Sequence, residues 1–136
     1  MKFIFNIPPK PQSRPRFTRH GRPYELKDMK EYKQAIERMT KEQLECDKLV
    51  DMPLSVSIKF YIEPPQYISK VKKNALELKQ ETMRVFRKPD IDNYVKAILD
   101  AMNDIVFKDD GQIAVLQAEK VYSLNARTEV TIERLD

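Results

Sequence analysis

Between Pro53 and the pair Pro64-Pro65 the chain alternates with period two. Leu54, Val56, Ile58, Phe60 and Ile62 fall on one side, and Ser55, Ser57, Lys59 and Tyr61 on the other. Successive side chains of an extended strand point to opposite faces, so this spacing predicts a strand with one buried face. Proline has no backbone N–H and a fixed φ, so the flanking prolines stop the strand at both ends. A strand buried on one face needs a sheet around it and a layer packed on it, which the rest of the chain must supply.

Phe3, Phe5 and Ile7 alternate with Lys2, Ile4 and Asn6 and predict a first strand. Residues 8 to 24 hold five prolines and four arginines (Arg14, Arg16, Arg19 and Arg22) and read as a loop or arm. Leu26, Met29, Ala35-Ile36, Met39, Leu44 and Leu49 predict a helix over residues 26–50, ended by Pro53. Residues 67–80 read as a short basic helix and 81–89 as extended chain before Pro89. Ile91, Val95, Ile98, Leu99 and Met102 share one face of an amphipathic helix over 91–104. Asp109-Asp110-Gly111 is a turn sequence. Residues 112–124 and 127–135 read as two strands joined near Asn125 as a hairpin. The order is β-α-β-α-α-β-β, an α+β domain over residues 1–136 with a mixed or antiparallel sheet and helices packed on it.

The length of 136 residues suits one domain with a real core. Cys46 is the only cysteine, which excludes an intrachain disulfide and a cysteine-held zinc. It falls within the predicted helix, with no histidine near it. His20 is the only histidine, which argues against a His-rich metal site or a Ser-His-Asp triad. No apolar run approaches membrane-spanning length, and the first strand is broken by proline too soon for a signal peptide. The expected site of action is the cytoplasm, with no membrane partner.

The net charge is +4, and it is unevenly placed. Lys10–Arg38 has nine basic and four acidic residues, and Lys70–Lys88 seven and two, each net +5. Asp90–Asp110 has two basic and six acidic residues, net −4. A basic protein attracts phosphates, and carboxylates in its middle repel them unless a divalent cation lies between. At roughly 100° per residue, Asp92, Lys96, Asp100 and Asn103 fall within about 80° on the polar face of the 91–104 helix. Asp90 precedes its first turn. Asp109 and Asp110 join the group only if the chain reverses after Ile105-Val106-Phe107.

Converging carboxylates suit Mg²⁺, which takes hard oxygen ligands and keeps several waters. Such an ion helps activate water and stabilises charge on phosphoryl oxygens, while a lysine nearby can neutralise the phosphate. Each piece also has a plain structural reading. Asp90 can cap a helix, Asp92 and Lys96 can be a surface i,i+4 pair, and Asp109-Asp110-Gly111 can be a turn alone.

Lys88-Pro89-Asp90-Ile91-Asp92-Asn93, then Lys96, Asp100-Ala101-Met102-Asn103 and Asp109-Asp110-Gly111-Gln112, together resemble the RusA-type Holliday junction resolvases. The family pattern is K/R-P-D-x-D-N, a lysine one turn on, D-A-L/M, and a later D-D-x-Q. Pro11-Gln12-Ser13-Arg14-Pro15-Arg16 is similar to the family's N-terminal P-x-x-R-P-R, so the likeness spans nearly the whole chain. The resemblance implies a homodimeric, Mg²⁺-dependent crossover junction endodeoxyribonuclease. Such an enzyme cuts four-way junction DNA by paired, symmetric nicks in recombination and repair. It implies Asp90, Asp92 and Asp110 as metal ligands and Lys96 as the essential lysine, with Asp100 and Asp109 at positions that are acidic in the family.

The basic segments are then the expected DNA grip: Arg14 and Arg16 with Arg19 and Arg22 from the arm, Lys70, Lys72 and Lys73 from the basic helix, and Arg87 and Lys88 beside the carboxylates. Tyr24, Tyr67 and Tyr94 are candidates for stacking on an unpaired base, Tyr94 with a competing role in helix packing. Two other functions remain compatible with the residues: a flap or fork nuclease using the same site, and a junction-binding protein without catalysis.

Overall fold

A computed structural model of the chain describes residues 1–13 and 16–136. In chain order its elements are β1 (Lys2–Phe5), β2 (Arg16–Phe17), β3 (Pro23–Tyr24), α1 (Lys27–Gln43), β4 (Leu54–Ile62), α2 (Gln66–Ser69), α3 (Ala75–Gln80), α4 (Ile91–Met102), β5 (Ile113–Tyr122) and β6 (Arg127–Arg134). The class is α+β and the sheet is mixed. The expected order holds, with a two-residue ribbon, β2 against β3, added inside the proline-rich arm.

The main sheet runs β1-β6-β4-β5. β4 is antiparallel to β6 and parallel to β5, and β6 is antiparallel to β1. This overturns the expected hairpin: β5 and β6 lie on opposite sides of β4. Leu54, Val56, Ile58 and Phe60 are all buried, which suits β4 to the interior of the sheet. The link from Ser123 to Ala126 carries the chain around the end of β4, where the Ser123 N–H donates to the Ile62 carbonyl at 2.9 Å. The register aligns Phe3, Val130, Ile58 and Ala118 in one row across the four strands.

α1 and α4 pack against each other, α1 also on β1 and α4 on β5. α1 buries Met29, Tyr32, Ile36 and Thr40, at spacings of three and four. α4 buries seven of its twelve residues, Ile98 and Met102 completely. The apolar ones among them join Phe3, Phe5, Phe60, Val130 and Ile132 in the core. Each fully buried phenylalanine contributes on the order of 1.5–3 kcal/mol by leaving water.

The predicted helix 26–50 ends at Gln43, and Leu44 is extended. The Gln43 amide makes two 2.8 Å hydrogen bonds, donating to the Ile4 carbonyl and accepting from the Ile4 N–H, so the helix end seals the open edge of β1. Beyond it the Leu49 N–H donates to the Val106 carbonyl at 2.8 Å, and the Lys108 N–H donates to the Leu49 carbonyl at 3.2 Å. Leu49 thus anchors a loop rather than a helix turn, and Cys46 lies exposed in that loop.

The predicted basic helix 67–80 is broken into α2, a 3₁₀ turn at Lys72–Asn74, and α3. Leu78 is the one buried residue of these three pieces, too little for the apolar stripe that holds a continuous helix down. Residues 83–85 are extended along the outer edge of β5, with Val85 N–H donating to Lys120 and Tyr122 N–H to Met83, both at 2.9 Å. Among the described residues no helix is long and apolar enough to cross a membrane.

Candidate active site

The first turn of α4 is set from both sides. Asp90 occupies the N-cap position with extended backbone (φ −68°, ψ 146°), but its side chain makes no capping bond. Its carboxylate lies 2.9 Å from the Lys88 ammonium instead. The Gln12 N–H donates to the Asn93 carbonyl at 2.9 Å, which docks the proline-rich arm on the same turn. Behind the turn, the Lys120 ammonium donates to the carbonyls of Arg87 (2.6 Å) and Pro89 (2.7 Å).

Asp92, Lys96 and Asp100 share one face of α4, as the helical spacing predicts, and line a cavity of about 390 Å³. Asp110 reaches the same cavity from the turn after α4, and Leu99, Leu116 and Ala118 form its apolar wall. Lys96 pairs with Asp100 at 3.5 Å, not with Asp92. Asp100 is held a second time by Lys33 of α1 at 3.4 Å, and Lys33 is itself 2.6 Å from Glu25. That hydrogen bond from Lys33 holds the Glu25 carboxyl below its ordinary range, against a smaller opposing effect of burial. Lys33 and Glu25 escaped the sequence reading, because a lysine on a long helix gives no sign of which carboxylate it will meet.

The reversal that brings Asp110 back is made by two amide side chains. Asn103 Oδ1 accepts the Asp110 N–H at 3.2 Å. Gln112 Oε1 accepts the N–H groups of Lys108 (2.9 Å) and Asp109 (3.1 Å), while its Nε2 donates to the carbonyls of Leu49 and Met52, both at 3.2 Å. The Asp109 carboxylate folds over Gly111, where a Cβ would stand 2.9 Å from Asp109 Oδ2. Burial pushes the Asp110 carboxyl above the ordinary aspartate range. Asp109 and then Asp100 add to that shift, and Lys96 opposes it.

Asp90 does not line the cavity of Asp110. It lines an adjoining hollow of about 470 Å³ with Phe86, Arg87, Lys88 and Lys120, and Asp92 is shared by both. Among the described residues no three Asp, Glu, His or Cys side chains converge tightly enough to cage a metal ion. The donors nevertheless fit magnesium. They are carboxylates, burial and then the neighbouring Asp109 and Asp100 disfavour the charged form of Asp110, which a cation would offset, and Mg²⁺ needs only one or two carboxylates beside its waters.

Arg87 and Lys88 are exposed at the rim of the adjoining hollow. Arg14 lies outside the described residues, and of Arg16 only the backbone, in β2, is described. Arg19, His20, Arg22, Lys70, Lys72 and Lys73 are exposed and line neither cavity. Tyr94 is buried against Phe60, with ring centroids 5.3 Å apart, so it is a packing residue and not a stacking platform. Phe86, 86 % exposed beside Asp90 and Asp92, was missed. Its signal was an aromatic set among Arg84, Arg87 and Lys88.

A family model described as endodeoxyribonuclease RusA matches residues 6–133. The chain is also 32 % identical over 138 residues to the "Uncharacterized protein YqaN" of Bacillus subtilis (strain 168), covering 99 % of this chain and 96 % of that protein.

Proposed function

The chain belongs to the RusA endodeoxyribonuclease family, and from that premise we propose that it is a Mg²⁺-dependent, structure-specific nuclease that resolves four-way DNA junctions by paired nicks. One observation carries the reading beyond the family: Asp92, Lys96 and Asp110, drawn from two separate motifs, line a single cavity. Asp90, Asp92 and Asp110 are the proposed metal ligands, with Asp92 common to both hollows. Bound there, Mg²⁺ would supply a Lewis acid for the phosphoryl oxygens and lower the pKa of water.

The chain's own groups do the rest. Lys33 and Lys96 both pair with Asp100, and Lys96 lines the cavity, where its ammonium can donate to a non-bridging phosphate oxygen. Arg87 and Lys88, with Arg14 and Arg16 of the arm, are the proposed phosphate contacts that orient the strand. The nuclease acts as one domain over residues 1–136 and as a homodimer, since paired nicks on a two-fold junction require two sites. Among the described residues the Ile113–Ala118 stretch of β5 bears no neighbouring strand on its outer side, and Val115 and Leu116 are half exposed there, which supports pairing with a second copy.

The deciding assay is cleavage of a synthetic four-way junction across a Mg²⁺ titration, with cut sites mapped on all four strands. Symmetric nicks on opposing strands are expected, and Asp92→Asn should bind the junction while cutting at least about a hundredfold slower. An intact junction with folded, dimeric protein at saturating Mg²⁺ would refute the reading. Equal or faster cleavage of a flap or fork would instead establish the broader branched-DNA nuclease.

A further inference from the structure

We propose that Phe86 stacks on a nucleobase that has left its helical stack next to the scissile phosphate, and that this contact is how the chain distinguishes branched DNA from duplex. The inference rests on the nuclease reading above and names a residue that the sequence motifs do not contain. Phe86 is the most exposed large apolar side chain among the described residues, at 86 %.

Its exposure does not come from a loose segment. On its N-terminal side, Met83 and Val85 are hydrogen-bonded to β5 at 2.9 Å. On its C-terminal side, Lys120 holds the Arg87 and Pro89 carbonyls at 2.6 and 2.7 Å. The backbone is therefore fixed on both sides of a phenyl ring that projects into solvent.

The surroundings identify the occupant. The Arg87 guanidinium lies 5.4 Å from the Phe86 ring centroid and 5.9 Å from that of Tyr67, which is itself 59 % exposed. Lys88 is the next residue, and Phe86 shares its hollow with Asp90 and Asp92. A protein partner would want a contiguous apolar patch, and this ring stands among cations instead. A nucleobase offers a π face for the ring and a phosphate for the guanidinium within one nucleotide. In intact duplex every base is already stacked on two neighbours, whereas at a branch point a base can swing out at little cost. The ring lines the hollow that Asp92 shares with the acidic cavity, so a base on it and a phosphate at Asp92 fall on adjoining surfaces.

The test uses binding alone, so it does not depend on cleavage. Four-way junctions carrying 2-aminopurine at each nucleotide flanking the crossover are bound by the full chain in EDTA, and in Ca²⁺ without Mg²⁺. Wild type should change the fluorescence at one flanking position and leave a 2-aminopurine duplex unchanged. Phe86→Ala should lose that signal and lose junction-over-duplex preference by about tenfold or more, while Phe86→Trp keeps both. Mg²⁺ affinity without DNA and the thermal midpoint should be the same in all three proteins.

Wild-type signal and preference persisting in Phe86→Ala would overturn the proposal. So would a Phe86→Ala protein that sediments as a monomer where wild type is a dimer, since the ring would then belong to a protein interface. If wild type shows the stacking signal but never cuts, the nuclease reading falls and the stacking contact stands.

Discussion

Asn103 Oδ1 holds the Asp110 backbone N–H at 3.2 Å, tying the residue just past α4 to the carboxylate that must fold back toward it. The bond fixes the backbone of Asp110, whose side chain lines the cavity. Asn103→Ala is expected to lower kcat/KM on a junction by about 10–100-fold, the range for residues that orient a ligand rather than serve as one. Asn103→Asp keeps an acceptor at the same place and should recover much of the loss. Because Asn103 is exposed, the thermal midpoint of both variants should stay close to wild type.

On the proposed reading, the Asp110 carboxyl, raised by burial and then by Asp109 and Asp100, must lose its proton before it holds a cation. Apparent Mg²⁺ affinity, measured by calorimetry across pH, should therefore fall on the acid side of a point above the ordinary aspartate value of 3.8. Asp109→Asn removes a neighbouring negative charge and should move that acid limb to lower pH. Lys96→Gln removes the opposing positive charge and should move it to higher pH. Opposite directions for the two variants are the diagnostic result, and a limb that moves in neither would contradict the arrangement.

Glu81 carries its side chain at φ 59°, a left-handed conformation where glycine is ordinarily preferred. Its carboxylate receives Arg127 at 2.6 and 3.1 Å and the Ser123 hydroxyl at 2.5 Å. The hydrogen bond from Arg127 is the largest influence and holds the Glu81 carboxyl below its ordinary 4.5. A carboxyl depressed in the folded state contributes stability that is complete above its unfolded pKa and is lost as pH falls through the folded value. Glu81→Gly relieves the backbone but removes the carboxylate from Arg127, for a net loss of about 1–3 kcal/mol at neutral pH. Denaturant melts should show the gap between wild type and Glu81→Gly narrowing as pH drops below about 4.5.

Arg87 and Lys88 contact phosphates on the proposed reading, so their effect belongs in the salt dependence of binding. Arg87→Ala and Lys88→Ala should each flatten the slope of log K against log salt by about 0.9 on duplex DNA, whatever its sequence. Fluorescence anisotropy over a salt series gives the slope directly. An unchanged slope for both would remove them from the phosphate grip.

The sheet strand β4 and the helix α4 were legible because their burial is local and periodic: Leu54 to Phe60 by twos, and Val95, Ile98 and Met102 by threes and fours. The same periodicity correctly gathered Asp92, Lys96 and Asp100. Pairing order was not legible, since nothing within 112–135 shows that residues 54–62 come between its two strands. Nor was the end of α1, because Leu44 and Leu49 continue a helical spacing that Gln43 and the Leu49–Val106 hydrogen bond override. Asp110 is brought to the cavity that Asp92 lines by the amides of Asn103 and Gln112, a tertiary arrangement that no spacing rule encodes. Asp90, adjacent to Asp92 in motif and separated from Asp110 in space, turns to Lys88 instead.

β6, latest of the strands in the chain, is also an inner strand, flanked by β1 on one side and β4 on the other. A growing polypeptide that stops short of Arg127 has β1 with no neighbour and β4 with one edge bare. The sheet therefore closes only after residues 127–134 insert between segments made long before them, a topology that favours slow, all-or-none assembly. For a DNA-cutting protein this has a practical result. On the proposed reading, a chain cut before Arg127 keeps α4, β4 and β5 but lacks the inner strand between β1 and β4, and it is expected not to cut DNA.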